Sequence, residues 1–164
     1  MGKVFYTFGD DISTDIIYPG RYMATVLPSE TPEYAFDDIK DLNKILVNRE
    51  FPEDGIIVAG KNFGTGSSRE QAVSTLKGYD LIIVAKSFAR IFYQNSVNLG
   101  LRIIICPDIE AEKDDELEIT GDKVINKTSG KEFEIIPHSK TRQEIIDAGG
   151  LIAYTRNRLI GKTA

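Results

Sequence analysis

At 164 residues the chain is long enough for one domain with a real core, since roughly 70% of its unfolded surface could be buried. A formal charge of -5 argues against nucleic acid held through bulk charge, and the single cysteine, Cys106, excludes an internal disulfide and a cysteine-only metal cluster. No run approaches the roughly 18 apolar residues of a membrane span, and the N-terminus has no signal-length apolar stretch, so a cytoplasmic protein is expected.

Val4–Phe8 is aromatic and β-branched, a first strand stopped by Gly9-Asp10-Asp11. Asp11–Tyr22 reads as loop with a turn at Pro19-Gly20, followed by Arg21. Tyr22–Pro28 is too short and broken to form an element; its apolar residues either pack on the core or hang over a site. Thr31 can cap a short helix with Pro32 at its first position. Apolar residues at 39, 42, 45 and 46 then share one face of a helix within Asp37–Val47.

A repeated rhythm follows. Ile56–Ala59, Leu81–Ala85 and Leu101–Cys106 are short apolar runs, separated by the helical stretches Ser67–Lys77 and Ser87–Asn98. This spacing predicts crossover units on a parallel sheet covered on both faces, with Gly78 and Gly100 ending the two helices. Asp108–Glu118 holds seven acids and one lysine and reads as a solvated link. Leu117–Thr120, Lys123–Asn126 and Phe133–Ile136 read as small antiparallel strands with tight turns. Thr141 and Glu144 form a capping pair for a last helix running to Tyr154, interrupted at Gly149-Gly150, and Thr155–Ala164 reads as an exposed tail. With no interdomain linker, the expectation is a single domain over 1–164.

The chemistry concentrates in Gly60–Lys77, where a strand feeds a glycine loop and then a helix. Such a junction presents backbone N–H groups and small hydroxyls to an anion. The loop has neither G-x-x-x-x-G-K-S/T nor the full G-x-G-x-x-G. Ser67, Ser68, Arg69 and Glu70 contain S-x-x-E, so Ser67 as N-cap and Glu70 at N3 explain two of them without chemistry. Arg69 runs against the dipole preference of a helix start and calls for an anionic partner, which its donor fork suits. Cap and carboxylate site both stand at this point. His138 lies far along the chain from Ser67, Cys106 ends an apolar strand, and no metal-ligand spacing is present.

Three stretches carry a resemblance: FGDDISTDIIYPGRY at 8–22, GKNFGTGSSREQA at 60–72 and AKSFARIFYQNSVNLGL at 85–101. On these the sequence resembles the small subunits of the 3-isopropylmalate dehydratase family, within the aconitase superfamily and equivalent to the swivelling domain of aconitase. The resemblance covers most of the chain. It implies an α/β swivelling domain, with a mostly parallel sheet flanked by helices and small antiparallel additions. It implies no metal on this chain, and a large subunit whose three cysteines hold a 4Fe-4S cluster acting as Lewis acid. Ser67 would be the catalytic base, acting as an alkoxide, with Ser68 and Arg69 as substrate-carboxylate ligands and Gly66 beside them. Ser87 and Arg90 would support the site or face the large subunit, Ser87 being equally explained as a helix cap.

Relatives separate their substrates through the segment matching Met23, Ala24, Thr25, Val26 and Leu27. Homoaconitase-type subunits place an arginine there, whereas this chain has no cation, which favours an apolar substituent. Isopropylmalate, as in leucine biosynthesis, and 2,3-dimethylmalate both fit. Thr65 and Gln71 depart from the cysteine and histidine of many relatives and leave room for a paralogue. A competing class is a noncatalytic module using the same loop to hold a carboxylate or phosphate.

Overall fold

A computed structural model describes residues 1–160. Seven strands form one sheet: β1 (Gly2–Thr7), β2 (Gly55–Ala59), β3 (Ile82–Ala85), β4 (Arg102–Ile105), β5 (Glu116–Ile119), β6 (Lys123–Asn126) and β7 (Glu132–Glu134). Their order is β4-β3-β2-β1-β5-β6-β7. The first four are mutually parallel, and β5, β6 and β7 add as an antiparallel meander on the free edge of β1. The sheet curls until its two ends meet, with the Ile136 amide donating to the Ile105 carbonyl at 2.9 Å.

Side-chain alternation divides the core. Phe5, Ile57, Ala59, Ile83, Ala85 and Ile103 face the helices, while Val4, Ile56, Val58, Ile82 and Val84 fill the inside of the curl with Leu117, Val124 and Cys106. Every residue of β2 and β3 is buried, which is why those strands read as unbroken apolar runs. Each fully buried Ile or Val stabilises the fold by roughly 1.5–3 kcal/mol. Burial pushes the Cys106 thiol up to about 11, so it stays protonated at neutral pH.

Six α-helices accompany the sheet among the described residues: α1 (Thr14–Ile17), α2 (Lys40–Val47), α3 (Glu70–Lys77), α4 (Arg90–Leu99), α5 (Lys140–Asp147) and α6 (Leu151–Ile160). The helix predicted at Thr31 is a 3-10 turn, Thr31–Tyr34, with Thr31 inside it and buried against α3. Its hydroxyl meets Ser74 Oγ at 3.0 Å, and its carbonyl accepts from the Thr75 hydroxyl at 2.7 Å. Residues 11–22 are not all loop: Ser13 caps α1 by accepting from the Ile16 amide, a one-turn helix too short for periodicity to reveal.

The acidic stretch is a folded return rather than a solvated link. Ile109 is buried, and Val4 exchanges backbone hydrogen bonds with Asp114 and Asp115, which steers β5 onto β1. The expected Thr141–Glu144 capping pair does not form, because α5 begins earlier, behind Ser139. Gly149 and Gly150 do break α5 from α6, and α6 runs on to Ile160 through most of the expected tail, whose last residues, 161–164, lie outside the described residues. Among the described residues no helix is long and apolar enough to cross a membrane.

Candidate functional site

The loops leaving the C-terminal ends of β1, β2 and β3 continue to pair beyond the strands. Gly60 donates to Gly9, Asp11 to Lys61, Gly64 to Ile12 and Thr14 to Thr65; on the other side Phe63 donates to Ser87 and Ala89 to Phe63. The three stretches singled out in sequence thus lie side by side, at the end of a parallel sheet where ligands commonly bind. Asp11 (φ 58°) and Asn62 (φ 59°) both hold left-handed conformations that Asp and Asn tolerate, and the Asn62 side-chain Nδ2 donates to the Asp11 carboxylate at 2.8 Å.

Gly64 brings the loop down onto α4. Its φ is +82°, and a Cβ there would overlap the Phe92 ring. Phe92 is itself stacked on Phe88 and meets Phe63 edge-on at 5.4 Å, so the seat is rigid. From Gly64 the chain turns outward: Gly66, Ser67 and Ser68 are exposed. No hydrogen bond to either serine hydroxyl occurs among the described residues.

The helix-cap reading fails here. Helix α3 begins at Glu70, not Ser67; Arg69 is its N-cap residue, with no side-chain cap bond. The Arg69 amide instead turns back onto the Ser67 carbonyl at 2.9 Å, a tight turn that stands both serines outside the helix. Ser87 likewise does not cap α4, which starts at Arg90; its hydroxyl accepts the Asn62 amide at 2.8 Å, tying the second loop to the third. Arg90 is exposed at that helix start.

Arg69 is the half-buried cation of the site, its side chain 20% exposed. Nη1 is held by the Asp15 carboxylate and lies 3.4 Å from the Tyr18 carbonyl, while Nη2 passes beside Gly20. The next segment hangs from this point. The Tyr18 hydroxyl donates to the Tyr22 carbonyl at 3.1 Å, and burial pushes its phenol up. Arg21 clamps Asp37 and Asp38, and Tyr22 stacks on Tyr34 with centroids 4.1 Å apart. Beyond that anchor Met23, Ala24, Val26 and Leu27 are exposed and Thr25 partly so. A groove of about 570 Å³ runs between Val26, Pro28 and α3. Another cavity, of about 910 Å³, lies at the start of the parallel strands by Gly2, Asp54, Ile82 and Arg102, and none of its lining comes from the serine loop.

Sequence reading missed Thr14 and Asp15, which meet the serine loop from another strand end; the S-T-D in the first stretch was the available signal. His138 is a structural pin: its Nε2–H donates to the Ile103 carbonyl at 2.8 Å, and its Nδ1 accepts the Tyr93 hydroxyl at 2.7 Å. Both ring nitrogens are used, by partners on α4 and β4 and not in the serine loop. Among the described residues no group of three or more His, Cys, Asp or Glu could hold a metal ion.

A family model described as the aconitase C-terminal domain matches residues 28–107. The 3-isopropylmalate dehydratase small subunit of Methanosarcina mazei is 43% identical over 92% of this chain and 93% of its own length. That of Aquifex aeolicus is 41% identical over 98% and 96%. A crystal structure of 3-isopropylmalate dehydratase (leuD) from Methanocaldococcus jannaschii superposes with a TM-score of 0.87 at 37% identity, covering 99% of this chain and 96% of that one. Its curled sheet and flanking helices are the aconitase-like swivelling fold. Identity at this level along nearly the whole length, together with the shared fold, makes this chain a member of the 3-isopropylmalate dehydratase small-subunit family.

Proposed function

We propose that the chain is the small subunit of a hydro-lyase that reversibly dehydrates a branched 2-hydroxy dicarboxylic acid, interconverting 3-isopropylmalate and 2-isopropylmalate in leucine biosynthesis. The observation that carries this reading is the pairing of two exposed, unengaged hydroxyls, Ser67 and Ser68, with the half-buried Arg69 guanidinium on one outward-facing turn. Arg69, with Ser68, holds a substrate carboxylate through charge-assisted hydrogen bonds. Ser67, as the alkoxide, takes the proton from the carbon next to the one bearing the hydroxyl. The loop amides and the start of α3 lower the cost of that alkoxide once the site is closed to water.

A 4Fe-4S cluster on a large partner subunit would supply the Lewis acid for the departing hydroxyl. An open surface around Ser67 supports a site completed by a second chain. The apolar residues of 23–27 favour an apolar substituent, and the adjacent cation, Arg21, is already spent on Asp37 and Asp38. That observation disfavours a homoaconitase-type substrate with its extra carboxylate; a 2,3-dimethylmalate dehydratase keeps the same apolar match.

Anaerobic reconstitution with the cluster-bearing subunit tests the proposal. The chain alone is expected to be inactive, the complex active on isopropylmalate, and Ser67→Ala nearly inactive with assembly intact. Full turnover in Ser67→Ala eliminates the base assignment. Tight binding of small acids by the isolated chain, with no activity in any complex, would instead favour a noncatalytic carboxylate-binding module. Parallel assays on dimethylmalate and homocitrate separate the remaining substrates.

A further inference from the structure

We infer that Thr14 is a positioning residue for the dehydration step: one buried hydroxyl on α1 sets the placement of both Ser67 and Arg69. The inference rests on the catalytic reading of Ser67 above. Thr14, the first residue of α1, is 1% exposed, between the exposed Asp15 and the partly exposed Ser13. Its amide donates to the Thr65 carbonyl at 2.7 Å, and its Oγ1 donates to the Ser67 carbonyl at 3.1 Å. Two carbonyls of one three-residue stretch therefore converge on a single residue. Between them Gly66, at φ +101°, arches over Thr14, with a Cβ position 3.3 Å from the Thr14 hydroxyl.

The Ser67 carbonyl also accepts the Arg69 amide at 2.9 Å. The Thr14 hydroxyl thus meets the turn at the one atom shared by the base and the carboxylate ligand. The next residue, Asp15, holds the Arg69 side chain. Ser13 caps the same helical turn and bridges Thr65. One helical turn from the first strand end grips the catalytic turn from behind, while its open side keeps both serine hydroxyls free. Thr14 touches no reacting atom; it acts through the backbone of Ser67. A displacement of about 1 Å at a reacting group can cost about 100-fold in rate, so a lost positioning bond is expected in turnover rather than in assembly.

The test uses the complex with the cluster-bearing subunit. Thr14→Val keeps shape and removes the hydroxyl; Thr14→Ser keeps the hydroxyl and removes the methyl. The expected result is a fall of about tenfold or more in kcat for Thr14→Val, with KM changed much less, and recovery to within about threefold in Thr14→Ser. Turnover of Thr14→Val within about twofold of the parent, beside an inactive Ser67→Ala, overturns the positioning role alone. Equal losses in Thr14→Val and Thr14→Ser overturn it too, since the methyl would then be what matters. An active Ser67→Ala removes the catalytic reading and this inference with it. If Thr14→Val does not fold, Thr14→Ser decides, because full turnover there supports the hydroxyl and a large loss overturns it.

Discussion

The Asp15 carboxylate grips Nη1 of Arg69 from across two strand ends, yet leaves Nη2 without an acceptor among the described residues. This geometry suits an orienting pair: the guanidinium is aimed, and half of its fork is left for a ligand. Asp15 is 58% exposed, so the pair contributes little to stability. Asp15→Asn is expected to leave the melting temperature nearly unchanged and to raise the substrate KM of the reconstituted enzyme roughly 3- to 10-fold, the scale of one hydrogen bond. A lower KM would show that Asp15 competes with substrate instead of aiming its ligand.

Gly64 is the point where the site loop rests on the core. Alanine there must hold φ near +82° and displace the Phe92 ring, which Phe63 and Phe88 pin in place. Backbone strain and overpacking together are expected to cost roughly 2–4 kcal/mol. Gly121→Ala is the control, since nothing lies within 4 Å of its Cβ position and its φ is unexceptional. Urea unfolding of the two variants checks this, and equal midpoints would refute the packing account.

The apolar runs of β2 and β3, buried on both faces, announced the parallel sheet, and the short β-like pieces from Leu117 to Ile136, parted by tight turns, announced the meander. What the sequence did not disclose was where α3 and α4 begin. Ser67 and Ser87 have the chemistry of caps, but Gly64 and Gly66 bend the loop after β2 outward, and the Asn62 backbone amide claims the Ser87 hydroxyl. Local cap rules lost to contacts made across strand ends. For the same reason Thr14 and Asp15 were invisible as site residues: their partners lie more than fifty positions away. Ser67, Ser68 and Arg69 could be grouped as a candidate site from sequence because they sit together in the chain.

The exposed segment after Tyr22 offers a direct test of substrate choice. Met23, Val26 and Leu27 present apolar surface, and Arg21 is held by two carboxylates. Ala24→Arg adds a free cation to that surface. In the reconstituted enzyme it is expected to lower kcat/KM for isopropylmalate and raise it for a homologue carrying an extra carboxylate, shifting their ratio by about tenfold or more. An unchanged ratio would mean that 23–27 does not face the substrate.

The anchor of that segment makes the fold sensitive to acid. Asp37 accepts the Tyr22 hydroxyl at 2.7 Å, the Lys40 ammonium at 2.9 Å and the Arg21 guanidinium. The Tyr22 bond first, then Lys40 and Arg21, hold its carboxyl well below the usual carboxylate range. Arg21 also lowers Asp38, but that side chain is 58% exposed and solvent screens the pair, so Asp37, at 18%, carries the effect. A folded-state pKa below the unfolded value near 3.9 gives stabilisation that is complete above that value and is lost as pH falls toward the folded one. Asp37→Asn has no such group to titrate. Its melting temperature is therefore expected to lie below the parent's at neutral pH and the gap to narrow as pH is lowered from about 5 to 2. Melting curves across that range decide the matter, and a gap that stays constant would mean that Asp37 titrates alike in both states.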